Sequence, residues 1–142
     1  MRLLLKRHYT PGNTLGRLFL GDRPICLIRE APNPAYGFME KCLEEGVYEL
    51  EPVYEEDTGW RVRVGNEGWI LHRPPDQQPR RNEICPVSSF RENGAPMFTQ
   101  LAFLKLLDQL GVFWERGEIL DLQVVSKGIP YAMPSCQIPM YS

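Results

Sequence analysis

An excess of charge of one sign is missing from this chain: 16 lysines and arginines stand against 18 aspartates and glutamates, for a net charge of −2. A nucleic-acid surface needs a clustered basic excess to displace counterions from phosphates, so this balance argues against DNA or RNA as a partner. Arg80-Arg81 is the one basic doublet inside a loop, and Asp76 and Glu83 flank it, which reads as a solvated segment rather than a phosphate clamp. Long apolar runs are also missing. Leu3-Leu4-Leu5 is cut short by Lys6-Arg7, too early for a secretory signal, and no stretch is long enough to span a bilayer. The expectation is therefore a protein without a signal peptide or membrane contact, either cytoplasmic or built into a phage-like particle. Histidine is scarce, with two in the chain, and the four cysteines show no C-x-x-C spacing and no neighbouring histidine pair. Neither a metal site nor any other cofactor is expected from that pattern, and free thiols are the default for a chain without an export signal.

What is present belongs to a globular protein. A hydrophobic fraction of 43% and a charged fraction of 24% are enough for a core and too apolar for a disordered chain, and 142 residues is the length of one ordinary domain. Leu3 to Tyr9 reads as a first strand, broken by Pro11-Gly12-Asn13. Residues 15–20 and 24–29 flank the short turn Gly21-Asp22-Arg23 and read as a hairpin. Val47 to Tyr54 and Trp60 to Val64 alternate apolar and polar residues on either side of a Glu/Asp/Gly turn, a second hairpin in which Glu49 and Glu51 can face Arg61 and Arg63. Trp69 to His72 is a short strand, and Ile119 to Val125 a last one. One helix is expected over residues 97–110, opened by Pro96 and stopped by Gly111, with Met97, Leu101, Leu104, Leu107 and Leu110 as its core stripe. The expected fold is mainly β, a β-rich α+β architecture: an antiparallel sheet or small barrel of about seven strands with one long helix in the C-terminal half. It occupies residues 1–126 as a single domain. Residues 127–142, with Pro130, Pro134 and Pro139 among Ile129, Tyr131, Met133, Ile138, Met140 and Tyr141, are expected to form an apolar arm that docks on this subunit, on a second copy or on a protein partner.

The chemistry-bearing feature is the segment from His72 to Cys85. A strand ending in histidine, then a proline-rich loop, then a cysteine is the one arrangement here that can bring a base to a thiol, and that pairing turns cysteine into a nucleophile. The bland alternative is a buried hydrophobic thiol and a hydrogen-bonded histidine.

The order of short motifs resembles an uncharacterised domain family of bacterial, especially Bacteroidetes, and phage or prophage genomes. Its members carry a T-x-G-x-L turn and strand, a C-x-x-x-E segment, a P-x-G-x-Y strand, an I-H strand end, a G-C motif, and a helix followed by a final strand. The matching residues are Thr14 to Leu18, Cys26 to Glu30, Glu44 to Tyr48 with glutamate in place of the proline, Ile70-Leu71-His72, and Ile84-Cys85-Pro86-Val87, over roughly residues 1–125. The family's histidine and glycine-cysteine pair is similar to the core of L,D-transpeptidases. That resemblance implies Cys85 as nucleophile and His72 as general base, acting on a peptidoglycan stem peptide. Ile84 stands where the family has glycine, and its side chain would obstruct the close approach of substrate to backbone amides. Two readings follow. The favoured one is a non-catalytic structural or binding module of phage, prophage or injection-system origin that keeps a cell-wall-enzyme-like fold, with a protein or a peptidoglycan fragment as partner. The alternative is a cysteine-dependent peptidoglycan transpeptidase or hydrolase.

Overall fold

The computed structural model describes residues 1–36 and 41–126. Alternation along β1 (Arg2–Tyr9) turns Leu3, Leu5, Arg7 and Tyr9 to one buried face. β1 pairs antiparallel with β2 (Thr14–Leu20), which makes the expected hairpin with β3 (Arg23–Glu30). The second expected hairpin, β4 (Gly46–Glu55) with β5 (Gly59–Val64), also forms, and β5 continues into β6 (Gly68–Ile70). Glu51 faces Arg63 across β4 and β5 and pairs with it at 3.3 Å, whereas Arg61 turns to Glu55 instead.

The chain then crosses to β7 (Glu83–Val87), which runs parallel to β6 and antiparallel to β3. A two-residue ladder, β8 (Ser89–Phe90) with β9 (Pro96–Met97), leads into helix α1 (Thr99–Glu115), and β10 (Leu120–Ser126) returns between β1, to which it is parallel, and β4. Eight strands close a barrel in the order β1-β10-β4-β5-β6-β7-β3-β2. The mainly β fold with one helix in the C-terminal half is thus what the chain adopts, with more strands than seven and with two parallel junctions. Closure leaves the main sheet no free edge.

The helix departs from the sequence expectation at both ends and on its buried face. Met97 lies in β9, and the helix starts only after Phe98, which adopts the left-handed conformation at φ 54° and provides no side-chain cap. Gly111 does not stop it. Beyond Gly111, Phe113 and Trp114 pack against the core, and the chain turns out at Gly117, whose φ of 75° suits glycine. Leu101 and Leu104 are 48% and 49% exposed, and the buried residues are Thr99, Ala102, Phe103, Leu106 and Leu110. Repeated steps of three fall short of a 3.6-residue turn, so the leucine series drifts around the helix rather than staying on one face. Phe103, Leu106 and Leu110 join one core with Leu3, Leu5, Leu18, Ile28, Ile70, Ile84 and Leu122.

Farther along β1 the interior becomes polar. Arg7 is 1% exposed and Glu30 fully buried; the Arg7 guanidinium donates through Nε to Glu30 at 2.8 Å, through a second short contact to the same carboxylate, and to the Leu43 carbonyl. Tyr9 beside them donates its hydroxyl to Glu45 at 2.7 Å. Burial works against the Arg7 charge, but Glu30 overcomes it and holds the guanidinium above its ordinary pKa. The arm expected over residues 127–142 lies outside the described residues.

Candidate functional site: the His72 cleft and the buried Cys85

The parallel junction of β6 and β7 decides the fate of the two residues singled out by sequence. Ile70 is directly opposite Ile84, and both side chains enter the core. The ladder continues for one more bond, from the Leu71 amide to the Ile84 carbonyl. Neighbouring residues across a sheet share a face, and consecutive residues along a strand alternate. Cys85, one step past Ile84, therefore turns away from the core, while His72 lies beyond the end of β6 and is positioned by its contact with α1 rather than by strand alternation. The His72 Nε2 lies 3.0 Å from the hydroxyl of Thr99, in the first turn of α1, and Cys85 makes no hydrogen bond to the imidazole.

Cys85 is held among other side chains, although Arg29 and Arg73 act electrostatically on both it and His72. It sits opposite Arg29 of β3, beneath the proline-rich segment that joins β6 to β7. Arg29, 5% exposed, donates to the carbonyls of Gln77, Arg73 and Pro74 at 2.7, 2.9 and 2.8 Å and so pins that segment over the sheet. Arg73 closes it from the other side by gripping Glu83 through two hydrogen bonds of 2.9 and 2.6 Å. Burial alone would raise the Glu83 carboxyl, but Arg73 and the Arg80 amide outweigh it and hold it below its ordinary range.

The result is a covered thiol. Cys85 is fully buried, and burial, reinforced by the Glu83 charge and only partly offset by Arg29 and Arg73, pushes its pKa up to about 12. An activated cysteine requires the reverse, a lowered pKa and a path for substrate. Cys26 is likewise pushed up to about 12 by burial, and burial raises the Cys42 thiol too. The His72 pKa is lowered, first by burial and then by the charges of Arg29 and Arg73, so the ring is the neutral form at physiological pH. Among the described residues no group of histidine, cysteine and carboxylate side chains is arranged to hold a metal ion, and no helix is long and apolar enough to cross a membrane.

His72 does open onto solvent on its own side. It lines a cleft of about 430 Å³ between the start of β5, the end of β6 and α1, together with Trp60, Arg61, Arg73, Gln100 and Leu104. Trp60 is half-exposed and packs against Tyr54, with ring centroids 5.1 Å apart and planes at 58°. Arg61 stacks its guanidinium 4.1 Å from the centre of the Trp69 ring. Three features that matter here were missed by the sequence reading: the cleft, the Arg29 clamp and the buried Arg7–Glu30 pair. Arg7 had a signal, since it occupies the inward phase set by Leu3 and Leu5; the cleft had none, because its walls come from three separate parts of the chain.

No family model matches the chain, and no curated protein or solved structure matches it either.

Proposed function

We propose that this chain is a non-catalytic structural or binding module, of the phage, prophage or injection-system kind suggested by its motif order, with the cleft beside His72 as its binding surface. A single observation carries the reading: Cys85 is fully buried beside the Arg29-pinned segment and makes no hydrogen bond to His72, whose Nε2 meets Thr99 instead. A histidine bound to Thr99 through Nε2 is a structural and ligand-facing residue in this account, not a base for Cys85. A peptidoglycan fragment or a protein is the class of partner such a module would hold, and the barrel supplies a rigid frame for it.

The test is acylation. Incubation with a peptidoglycan stem tetrapeptide, followed by intact-mass spectrometry under acidic quench, should leave the protein at its unmodified mass. An adduct of the peptide acyl group on Cys85, absent from Cys85→Ala, would establish the cysteine-enzyme alternative and overturn the proposal.

A further inference from the structure

The cleft walls combine one exposed aromatic face with polar groups that nothing else engages. Trp60 is 51% exposed although its indole is large and apolar, and Tyr54 supports one side of it. The side chains of Gln100, exposed in the first turn of α1, and Thr58, at the mouth of the β4–β5 turn, have no hydrogen-bond partner among the described residues. The His72 ring uses Nε2 for Thr99 and leaves Nδ1 without a partner among those residues. The two arginines of the cleft are already neutralised, Arg61 by Glu55 and Arg73 by Glu83.

That combination selects among ligand classes. An anion such as phosphate would need an unspent cation on the wall, and both arginines there are paired. A purely apolar segment would leave the Gln100, Thr58 and His72 polar atoms desolvated and unpaired, which opposes its binding. An uncharged ring with one C–H face and a rim of hydroxyls satisfies both halves of the wall. From this we infer that the cleft is a saccharide-binding site: a pyranose ring lies on the Trp60 indole while its hydroxyls exchange hydrogen bonds with Gln100, Thr58 and His72. Leu104, half-exposed on α1, gives the second apolar wall. The inference deepens the proposed function by naming the ligand class of the same cleft, and it does not depend on the state of Cys85.

The experiment is a titration of the full chain with chitotetraose, cellotetraose and, separately, inorganic phosphate, followed by the indole N–H signals of Trp60, Trp69 and Trp114 in two-dimensional NMR. At least one oligosaccharide should shift the Trp60 signal saturably and Trp114 not at all. Trp60→Ala should weaken binding by about tenfold or more, the upper end of what one aromatic contact contributes. Gln100→Ala, a surface change on the helix, should weaken it by several-fold with an unchanged melting temperature. Binding of phosphate alone, saccharide binding that Trp60→Ala and Gln100→Ala both leave intact, or no binding by any probe would each overturn the inference. None of these outcomes would restore an active Cys85, because the acylation measurement reads that separately.

Discussion

His72 and Cys85 are thirteen positions apart in sequence, and the fold gives them different contacts: the Thr99 hydroxyl for the imidazole, burial opposite Arg29 for the thiol. The parallel register that sets Ile70 against Ile84 turns Ile84 into the core and Cys85 to the other face of β7, while His72 lies beyond the end of β6. Their closeness in the chain was legible from sequence. The register was not, because it is fixed by how the β6–β7 crossover folds under Arg29, and nothing local in the proline-rich segment encodes it. The neutral imidazole that results has a measurable signature. Its folded-state pKa lies below the ordinary value of 6.5, so protonation favours the unfolded chain. Stability from His72 is accordingly present above the unfolded-state value and is lost as pH falls through it toward the folded-state value. An NMR titration of the imidazole C–H signals should place His72 below 6.5, and His72→Gln should flatten the stability profile across that window; a His72 midpoint above 6.5 would contradict the environment described here.

At the scale of elements, the two hairpins were readable because each has one buried and one wet face, so apolar and polar residues alternate along them. β7 was not readable as a strand. All five of its residues are buried, which erases the alternation, and Pro86 argues against a central strand in any sequence reading. The helix was found, but its buried face was misread, since steps of three imitate a stripe while precessing around the axis. Its corrected ends make a paired prediction. Gly111 is inside the helix with open space where a Cβ would sit, so Gly111→Ala should stabilise the protein by about 0.5–1 kcal/mol. Gly117 also has open space around it but turns at φ 75°, and Gly117→Ala should destabilise by about 1–2 kcal/mol. Urea unfolding of the two variants checks this. A loss on replacing Gly111 would return the helix end to that residue.

For the whole molecule, the closed barrel runs from an apolar region, filled by Leu3, Leu5 and the inner face of α1, to a polar region around Arg7 and Glu30. The alternation of β1 announced that Arg7 points inward, but its partner Glu30 is 23 residues away on β3, and the two meet across β2, where Gly16 faces Arg7. Breaking a buried ion pair strands the remaining charge, so Arg7→Met or Glu30→Met alone should cost about 3–5 kcal/mol, while the two together should cost less than the sum of the single changes. Additive losses would mean that the two do not act as a pair. The proposal that Cys85, buried beside the segment Arg29 holds, is unreactive is the central claim, and thiol alkylation followed by mass spectrometry at about pH 6 to 8, where activated and ordinary cysteines differ most, tests it most directly. The account predicts that native Cys85 labels as slowly as buried Cys42, that His72→Ala changes nothing, and that Arg29→Ala speeds the reaction by releasing the covering segment. Rapid labelling of native Cys85 at mildly acidic pH, slowed by His72→Ala, would contradict it.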